Sequence, residues 1–113
     1  PARPVIVSVI DDSFDVTHPD FARGGNVVFD TPANTINPGN ITTDTSNDFD
    51  GHGTHVAGTV AAVVNNSIGI AGVAGFNGGG VNIRLLPIMA GDFFFTADAV
   101  ASAILLSQQR GAS

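Results

Sequence analysis

The chain has 113 residues, enough for one small domain, and 43% of them are hydrophobic, enough for a buried core. Its formal net charge is −6, with Asp as the sole acidic residue type and Arg as the sole basic one, which argues against a nucleic-acid-binding protein because that function needs a basic face. These 113 residues contain no Cys, which leaves no disulfide framework and no thiol chemistry among them, and no apolar run of the ~18 residues that a membrane helix needs.

The first predicted element is a strand over Pro4–Asp11. Its residues are almost all apolar and many are β-branched, which is typical of a strand buried on both faces of a parallel sheet. The strand ends at Asp11, before a polar turn. Ligands bind outside the carboxyl ends of strands in open α/β sheets, so Asp11 is a candidate functional residue. Taken alone, Asp11 could equally be a carboxylate that only caps the turn.

Little regular structure is predicted over the next forty residues. Pro19 disfavours a helix and favours an extended conformation at His18. A short strand is predicted over Asn26–Asp30. Residues 30–50 are rich in Thr, Asn, Asp, Pro and Gly, which predicts a long surface loop.

The most distinctive pattern is His52–Thr59, which reads His-Gly-Thr-His-Val-Ala-Gly-Thr. Gly53 and Gly58 each cost about 1 kcal/mol relative to Ala inside a helix, which points to a close approach by another backbone or by a substrate. The valines in and behind the motif have helical spacing and predict a helix that begins at His52; they are Val56, Val60, Val63 and Val64.

The rest of the chain is predicted to form a strand over Val81–Met89 and then a helix. Thr96 is the predicted N-cap of that helix and Gly111 its C′ residue. Between the two elements, Phe93–Phe95 is predicted to pack in the core rather than to line a binding pocket. The alternation of strand and helix indicates an α/β fold with a parallel sheet. One face of the second helix carries Val100, Ala103, Ile104 and Ser107.

Two stretches carry a resemblance to a known family. His52–Thr59 matches the histidine motif of the subtilisin-like serine proteases, or subtilases, without a mismatch. Val9–Asp11, followed by Asp15 and His18–Phe21, resembles the aspartate motif of the same family, and the two motifs occur in the family's order. The resemblance implies that residues 1–113 are the N-terminal portion of a subtilase catalytic domain. The implied fold is the subtilisin-like three-layer α/β fold with a mostly parallel sheet, present here in part.

The resemblance also implies a function, that of a serine-type endopeptidase that hydrolyses peptide bonds with a Ser-His-Asp triad. Asp11 matches the orienting carboxylate and His52 the general base, so a hydrogen bond between the carboxylate of Asp11 and Nδ1 of His52 is expected. His18 and His55 match positions without a catalytic role, and His55 is expected to be packed or hydrogen-bonded. Polypeptide substrates and a secreted or extracytoplasmic location are implied as well, although the chain shows no signal peptide.

A structural calcium site is a further implication of the resemblance. It would lie in the loop behind the histidine motif, with ligands that are all oxygen atoms, as a hard cation requires. This chain has one extra residue before the loop, so the match is weakest at Val64. The alternative is an Asn-rich helix C-terminus, where Asn readily adopts the left-handed conformation. The implied ligands are the side chains of Asp20 and Asn66 and the backbone carbonyls of Val64, Ile68 and Ile70.

The nucleophile of the family is missing from the chain. The motif Gly-Thr-Ser-Met-Ala does not occur, and no Ser has its context. The chain is therefore expected to be a fragment that lacks the C-terminal part of its own catalytic domain and is inactive alone. Ser13 stands where the family has Gly, two residues after the aspartate, and would be strained if that position required a positive φ.

Two alternatives belong to other classes of function. The first is a catalytically inactive subtilase-like chain, either truncated or a pseudoprotease, which the coding sequence beyond Ser113 would distinguish. The second is a metal site built from Asp11, His52 and His55. The zinc motif His-Glu-x-x-His places its two His residues four apart with a Glu between them, whereas here the spacing is three and Glu is absent, which disfavours a zinc site.

Overall fold

A four-stranded parallel sheet and two α-helices form the described part of the chain. The computed structural model describes residues 3–21, 28–29, 33–36, 51–75, 83–92 and 94–112. No helix among these residues has both the length and the apolar character needed to cross a membrane. The elements are β1 (Val5–Asp11), a short 3₁₀ helix (Pro19–Phe21), β2 (Val28–Phe29), β3 (Ala33–Asn34), α1 (His52–Ala61), β4 (Ile83–Met89) and α2 (Ala97–Gln109).

Strand β4 is the centre of the sheet. It pairs in parallel with β1 along its whole length, so that Asp11 lies opposite Met89. On its other side it pairs with β2 through Arg84 and Leu85, and β3 pairs with it further along. Pro87 falls between these two short ladders, a position that suits a residue without an N–H. The parallel register confirms the predicted α/β class and brings the carboxyl ends of β1 and β4 to the same edge of the sheet.

The core consists of two apolar clusters, one on each face of the sheet. Neighbouring residues of a strand point to opposite faces, and Leu85 belongs to one cluster while Leu86 belongs to the other. Ala57 and Ala61 of α1 pack with Leu85, whereas Ala103 of α2 packs with Leu86. The two helices therefore cover opposite faces, which is the three-layer arrangement that the resemblance implied.

Most predicted element boundaries agree with the structure. Helix α1 begins at His52, and α2 is capped by the side chain of Thr96, which accepts from the backbone N–H of Ala99 at 3.2 Å. Gly111 follows α2 with a φ of +83°, as a C′ glycine should. The predicted first strand is β1, although its burial increases along the strand from the exposed Val5 to the buried Asp11, so it is not buried on both faces throughout.

Two element predictions need correction. Strand β3 lies inside the segment predicted as loop, because two residues carry no periodicity that a sequence pattern could reveal. Helix α1 ends at Ala61, four residues after Ala57, so Val63 and Val64 lie beyond it. The backbone N–H of Val63 donates instead to the carbonyl of Asp20 at 2.8 Å, a tertiary contact that ends the helix. Residues 30–32 and 37–50 of the predicted loop lie outside the described residues.

Three apolar side chains are more exposed than predicted. Phe94 is 78% exposed and Phe95 46%, although the aromatic segment was expected in the core, and Phe93 lies outside the described residues. Ile104 is 58% exposed, because the buried stripe of α2 is made by Ala99, Ala103 and Ser107. Small residues on that stripe let α2 lie close to the sheet and leave its larger side chains outside.

Candidate active site

Asp11 is the last residue of β1 and is buried. The parallel pairing of β1 with β4 fixes the backbone of Asp11 opposite Met89. In addition, the carbonyl of Asp11 accepts from the backbone N–H of Ala90 at 2.9 Å. Its side chain is 12% exposed. The carboxylate therefore has a well-defined position at the carboxyl edge of the sheet, where the sequence pattern predicted a functional group.

His52 is the first residue of α1, and its side chain is 63% exposed. Gly51 precedes it in the left-handed conformation, with a φ of +73°, which turns the chain into the helix. The carbonyl of Gly51 accepts the first helical hydrogen bond, from the backbone N–H of His55 at 2.9 Å. The imidazole thus projects from the first turn of a helix whose opposite end is anchored in the core.

The segment that follows β1 holds the first turn of α1. The backbone N–H of Gly53 donates to Asp12 Oδ1 at 2.8 Å, and the backbone N–H of Asp15 donates to Thr54 Oγ1 at 2.8 Å. A Cβ on Gly53 would lie only 2.3 Å from the carbonyl oxygen of Ser13. The close approach of the Ser13 backbone therefore explains why a glycine occupies this helical position. The sequence had suggested an approach either by another backbone or by a substrate.

These contacts bring the two predicted triad residues together. His52 Nδ1 lies 2.7 Å from Asp11 Oδ1, which confirms the hydrogen bond expected from the two motifs. The same carboxylate oxygen accepts from the backbone N–H of Asp12 at 2.8 Å. With Nδ1 directed at the carboxylate, the imidazole is held with Nε2 on its far side. Such an arrangement lets a neutral imidazole take up a proton at Nε2 while its orientation stays fixed.

The alternative metal set of Asp11, His52 and His55 is not assembled. Within the described ranges, the group whose possible ligand atoms all lie within 4.8 Å of one another is Asp11, Asp12 and His52. His55 does not belong to it and is exposed, so of the two environments expected for His55, a packed one does not hold.

A second polar cluster forms around the buried carboxylate of Asp20. Its Oδ1 accepts from Asn66 Nδ2 and its Oδ2 from the backbone N–H of Ile70, both at 2.8 Å. Gly69 allows this approach, because a Cβ there would meet Asp20 Oδ2. The loop also contains Val64 and Ile68. These oxygen donors are of the type that Ca²⁺ takes, and the two hydrogen bonds to Asp20 tie the loop to the 3₁₀ helix.

Asn65, next to this cluster, has a φ of +58°. The left-handed conformation is the feature expected of an Asn-rich helix C-terminus, and the calcium site stays a prediction. Ser13, by contrast, is not among the described non-glycine residues with a positive φ, and the strain considered there is absent. Its hydroxyl is buried without a hydrogen-bond partner in the described part of the chain.

A cavity of about 530 Å³ opens beside the Asp11–His52 pair. Its walls combine the acidic residues Asp12 and Asp92 with the apolar side chains of Phe95 and Ile104. Two side chains that do not pack in the core therefore border the candidate site. Sequence reasoning passed over Asp12, whose only signal was its position beside Asp11.

The chain is similar in sequence to known serine proteases. The profile of the subtilase family matches residues 2–111. A thermophilic serine proteinase of Bacillus sp. (strain AK1) is 37% identical over 110 residues, which cover 94% of this chain and 23% of that protein. Subtilisin of Bacillus pumilus and subtilisin E of Bacillus subtilis (strain 168) are each 49% identical over 70 residues, which cover 62% of this chain and 22% and 16% of their own lengths. The chain spans less than a quarter of each of these relatives.

Proposed function

We propose that this chain, which belongs to the subtilase family, supplies the aspartate and the histidine of a Ser-His-Asp triad in a serine-type endopeptidase. The observation that carries the proposal is the 2.7 Å contact between His52 Nδ1 and Asp11 Oδ1. A general base needs a partner that fixes its tautomer, and a carboxylate bonded to Nδ1 is that partner. His52 is the proposed general base and Asp11 the proposed orienting group.

The roles follow from the exposure of the two side chains. Asp11, at 12% exposure, is held by the strand and cannot reach a substrate, whereas His52, at 63%, can. His52 would accept the proton of the serine hydroxyl at Nε2 and return it to the leaving amine. Asp11 would keep Nδ1 protonated and would stabilise the imidazolium formed between these two steps.

The substrate class proposed is polypeptide, and the reaction is hydrolysis of the peptide bond. The nucleophilic Ser and the oxyanion-hole donor would come from the part of the catalytic domain that lies C-terminal to the portion described by residues 1–113. Of the Ser hydroxyls described here, those of Ser8 and Ser107 bond to each other at 2.6 Å. A secreted or extracytoplasmic location belongs to this proposal, because the family resemblance implies it.

An endopeptidase assay tests the proposal. The 113-residue chain, its His52→Ala variant, and a longer protein that includes the downstream coding sequence are each given an unfolded protein substrate. We expect hydrolysis by the longer protein, its loss on His52→Ala, and none by the chain alone. Hydrolysis by the chain alone that His52→Ala abolishes would place a nucleophile within these residues. A longer protein without activity would identify a pseudoprotease.

We also propose that any calcium bound by the chain is held weakly, in the loop after α1. Asp20, Asn66 and the carbonyls of Val64, Ile68 and Ile70 would hold it, and the ion would fix this loop. These are five ligand groups, whereas Ca²⁺ takes ~6–8 oxygens, and both oxygens of Asp20 already accept hydrogen bonds. Calorimetric titration with Ca²⁺ should detect no tight binding. A sub-micromolar affinity that is lost in Asp20→Asn and kept in the control variant Asp98→Asn would contradict the proposal of weak binding.

A further inference from the structure

We infer that Asp12 is a positioning residue, which holds His52 against Asp11 by linking the end of β1 to the first turn of α1. The inference rests on the proposed function for its catalytic meaning. Its structural content stands on three contacts and concerns a residue that neither family motif singled out. Asp12 is half-buried and lies between the two elements that carry the triad residues.

The first argument comes from the helix terminus. The first backbone N–H groups of a helix have no partner within it, and the side chain of the N-cap residue normally accepts from the second or third helical residue. Gly51 occupies the N-cap and has no side chain to do so. The backbone N–H of Gly53, the second helical residue, donates to Asp12 Oδ1 at 2.8 Å instead. A residue 41 positions away in sequence therefore caps α1.

The second argument comes from the carboxylate. The backbone N–H of Asp12 donates to Asp11 Oδ1 at 2.8 Å, and this is the oxygen that His52 Nδ1 contacts. The backbone N–H of Asp12 thus fixes the carboxylate of Asp11. The side chain of Asp12 fixes Gly53, the residue next to His52. These contacts form a closed ring of short hydrogen bonds in which a shift of α1 along its axis would lengthen two bonds at once.

The third argument is electrostatic. The N-terminus of a helix carries a partial positive charge, and an Asp side chain at that end is favourable. The first turn of α1 contains no acidic residue of its own. Asp12 supplies the negative charge from outside the helix, and because its carboxylate lies at the start of the axis, the attraction draws α1 towards β1.

The test reads the position of His52 without substrate. The purified protein is labelled with ¹⁵N at His and Gly, and two signals are followed: the Nδ1–H resonance of His52 and the hydrogen exchange of the Gly53 amide. We expect Asp12→Ala to remove or broaden the His52 resonance. We also expect it to speed Gly53 exchange by about tenfold or more, the effect expected for the loss of a helix cap. Asp12→Asn, which keeps the acceptor oxygen, should restore both signals.

Thr96→Ala is the matched control, because it removes the side-chain cap of α2 instead. It should leave both α1 signals unchanged. If Asp12→Ala speeds Gly53 exchange but leaves the His52 resonance intact, Asp12 is only a cap and the inference is wrong. It is equally wrong if Asp12→Asn loses the resonance as fully as Asp12→Ala, or if Thr96→Ala loses it too.

Should Asp12→Ala fail to fold, Asp12→Glu takes its place. It keeps the charge and lengthens the side chain by one methylene, so a positioning role requires the His52 resonance to shift, and an unchanged resonance overturns the inference. None of these signals depends on hydrolysis. An inactive protein in which they respond as expected would defeat the proposed function and leave the positioning role of Asp12 in place.

Discussion

At the scale of single residues, the candidate site combines one fixed and one accessible group. The carboxylate of Asp11 is enclosed at a strand end and accepts two hydrogen bonds on one oxygen, whereas the imidazole of His52 is mostly exposed. Because the carboxylate of Asp11 is buried and held in place, the hydrogen bond to it restricts the orientations open to the imidazole of His52. Orientation is therefore supplied by the protein rather than by the substrate, which is the condition for proton transfer in a preset geometry.

Ser13 shows the cost of a polar group in this setting. Its side chain is fully buried, and its hydroxyl has no hydrogen-bond partner among the described residues. A buried hydroxyl without a partner costs ~1–3 kcal/mol. We expect Ser13→Ala to raise the free energy of unfolding by about 1 kcal/mol, measured by urea denaturation, because the methyl group fits the same space and carries no donor.

Ser8→Ala is the control for Ser13→Ala. The Ser8 hydroxyl is bonded to that of Ser107, so its removal should lower the free energy of unfolding by ~0.5–1.5 kcal/mol. Equal destabilisation by the two substitutions would show that the hydroxyl of Ser13 has a partner after all.

At the scale of elements, the start of α1 is the point on which the site depends. Its N-terminus is set against the segment after β1 by two hydrogen bonds and by the absence of a side chain at Gly53. The other end is held by the loop that follows it, where the backbone N–H groups of Val73 and Ala74 donate to the carbonyls of Thr59 and Val60 at 2.9 and 2.8 Å. A helix fixed at both ends transmits little movement, so His52 keeps its distance from Asp11 although its own side chain is open to solvent.

The two glycines of α1 should respond in opposite ways to the same substitution. A Cβ on Gly53 would lie 2.3 Å from a backbone oxygen, whereas on Gly58 the nearest atom is the end of the Ile70 side chain at 3.4 Å. We expect Gly53→Ala to lower the free energy of unfolding by ~1–3 kcal/mol through overpacking. Gly58→Ala should be neutral or stabilise by up to ~1 kcal/mol, the difference in helix propensity.

Urea denaturation of the two variants measures this difference, and the Nδ1–H resonance of His52 reports whether the site moves. It should shift in Gly53→Ala and stay in place in Gly58→Ala. A tolerated Gly53→Ala with an unchanged resonance would mean that the close approach of Ser13 is not needed to hold the site.

At the scale of the whole molecule, the sheet is asymmetric. Strand β1 has β4 along one side, and on its other side the described residues contribute the isolated parallel bridge between Ile6 and Ala112. Exposed apolar side chains occur on β1 and on the helix beside it, Val5 at 51% and Leu105 at 54%. An open strand edge with apolar neighbours is a template for association with another chain.

The 113-residue chain alone should therefore associate as its concentration rises. We expect Val5→Lys, which places a charge on the open strand, to reduce the association seen by sedimentation velocity, since Lys on edge strands opposes pairing. Val73→Lys is the control, because Val73 is 92% exposed in a turn away from the sheet. Equal effects of the two substitutions would show that net charge, rather than the edge of β1, governs association.

The sequence by itself determined the elements that have a long or distinctive pattern. The apolar run before Asp11, the motif at His52 and the caps of α2 each lie within one short stretch, so local periodicity and capping chemistry were enough to place them. The family motifs also identified Asp11 and His52 as partners. Their hydrogen bond was predicted because both motifs come from one catalytic geometry, not because the spacing of 41 residues requires it.

Only the tertiary structure decided the features that depend on distant neighbours. β3 exists because β4 lies beside it, and α1 stops at Ala61 because Asp20 offers Val63 a different hydrogen-bond partner. Ile104 is exposed because the small residues Ala99, Ala103 and Ser107 fill the positions of α2 next to the sheet. The role inferred for Asp12 has the same origin, because its side chain caps a helix that begins 40 residues further along the chain. No local sequence pattern shows that a carboxylate so distant in sequence will cap that helix.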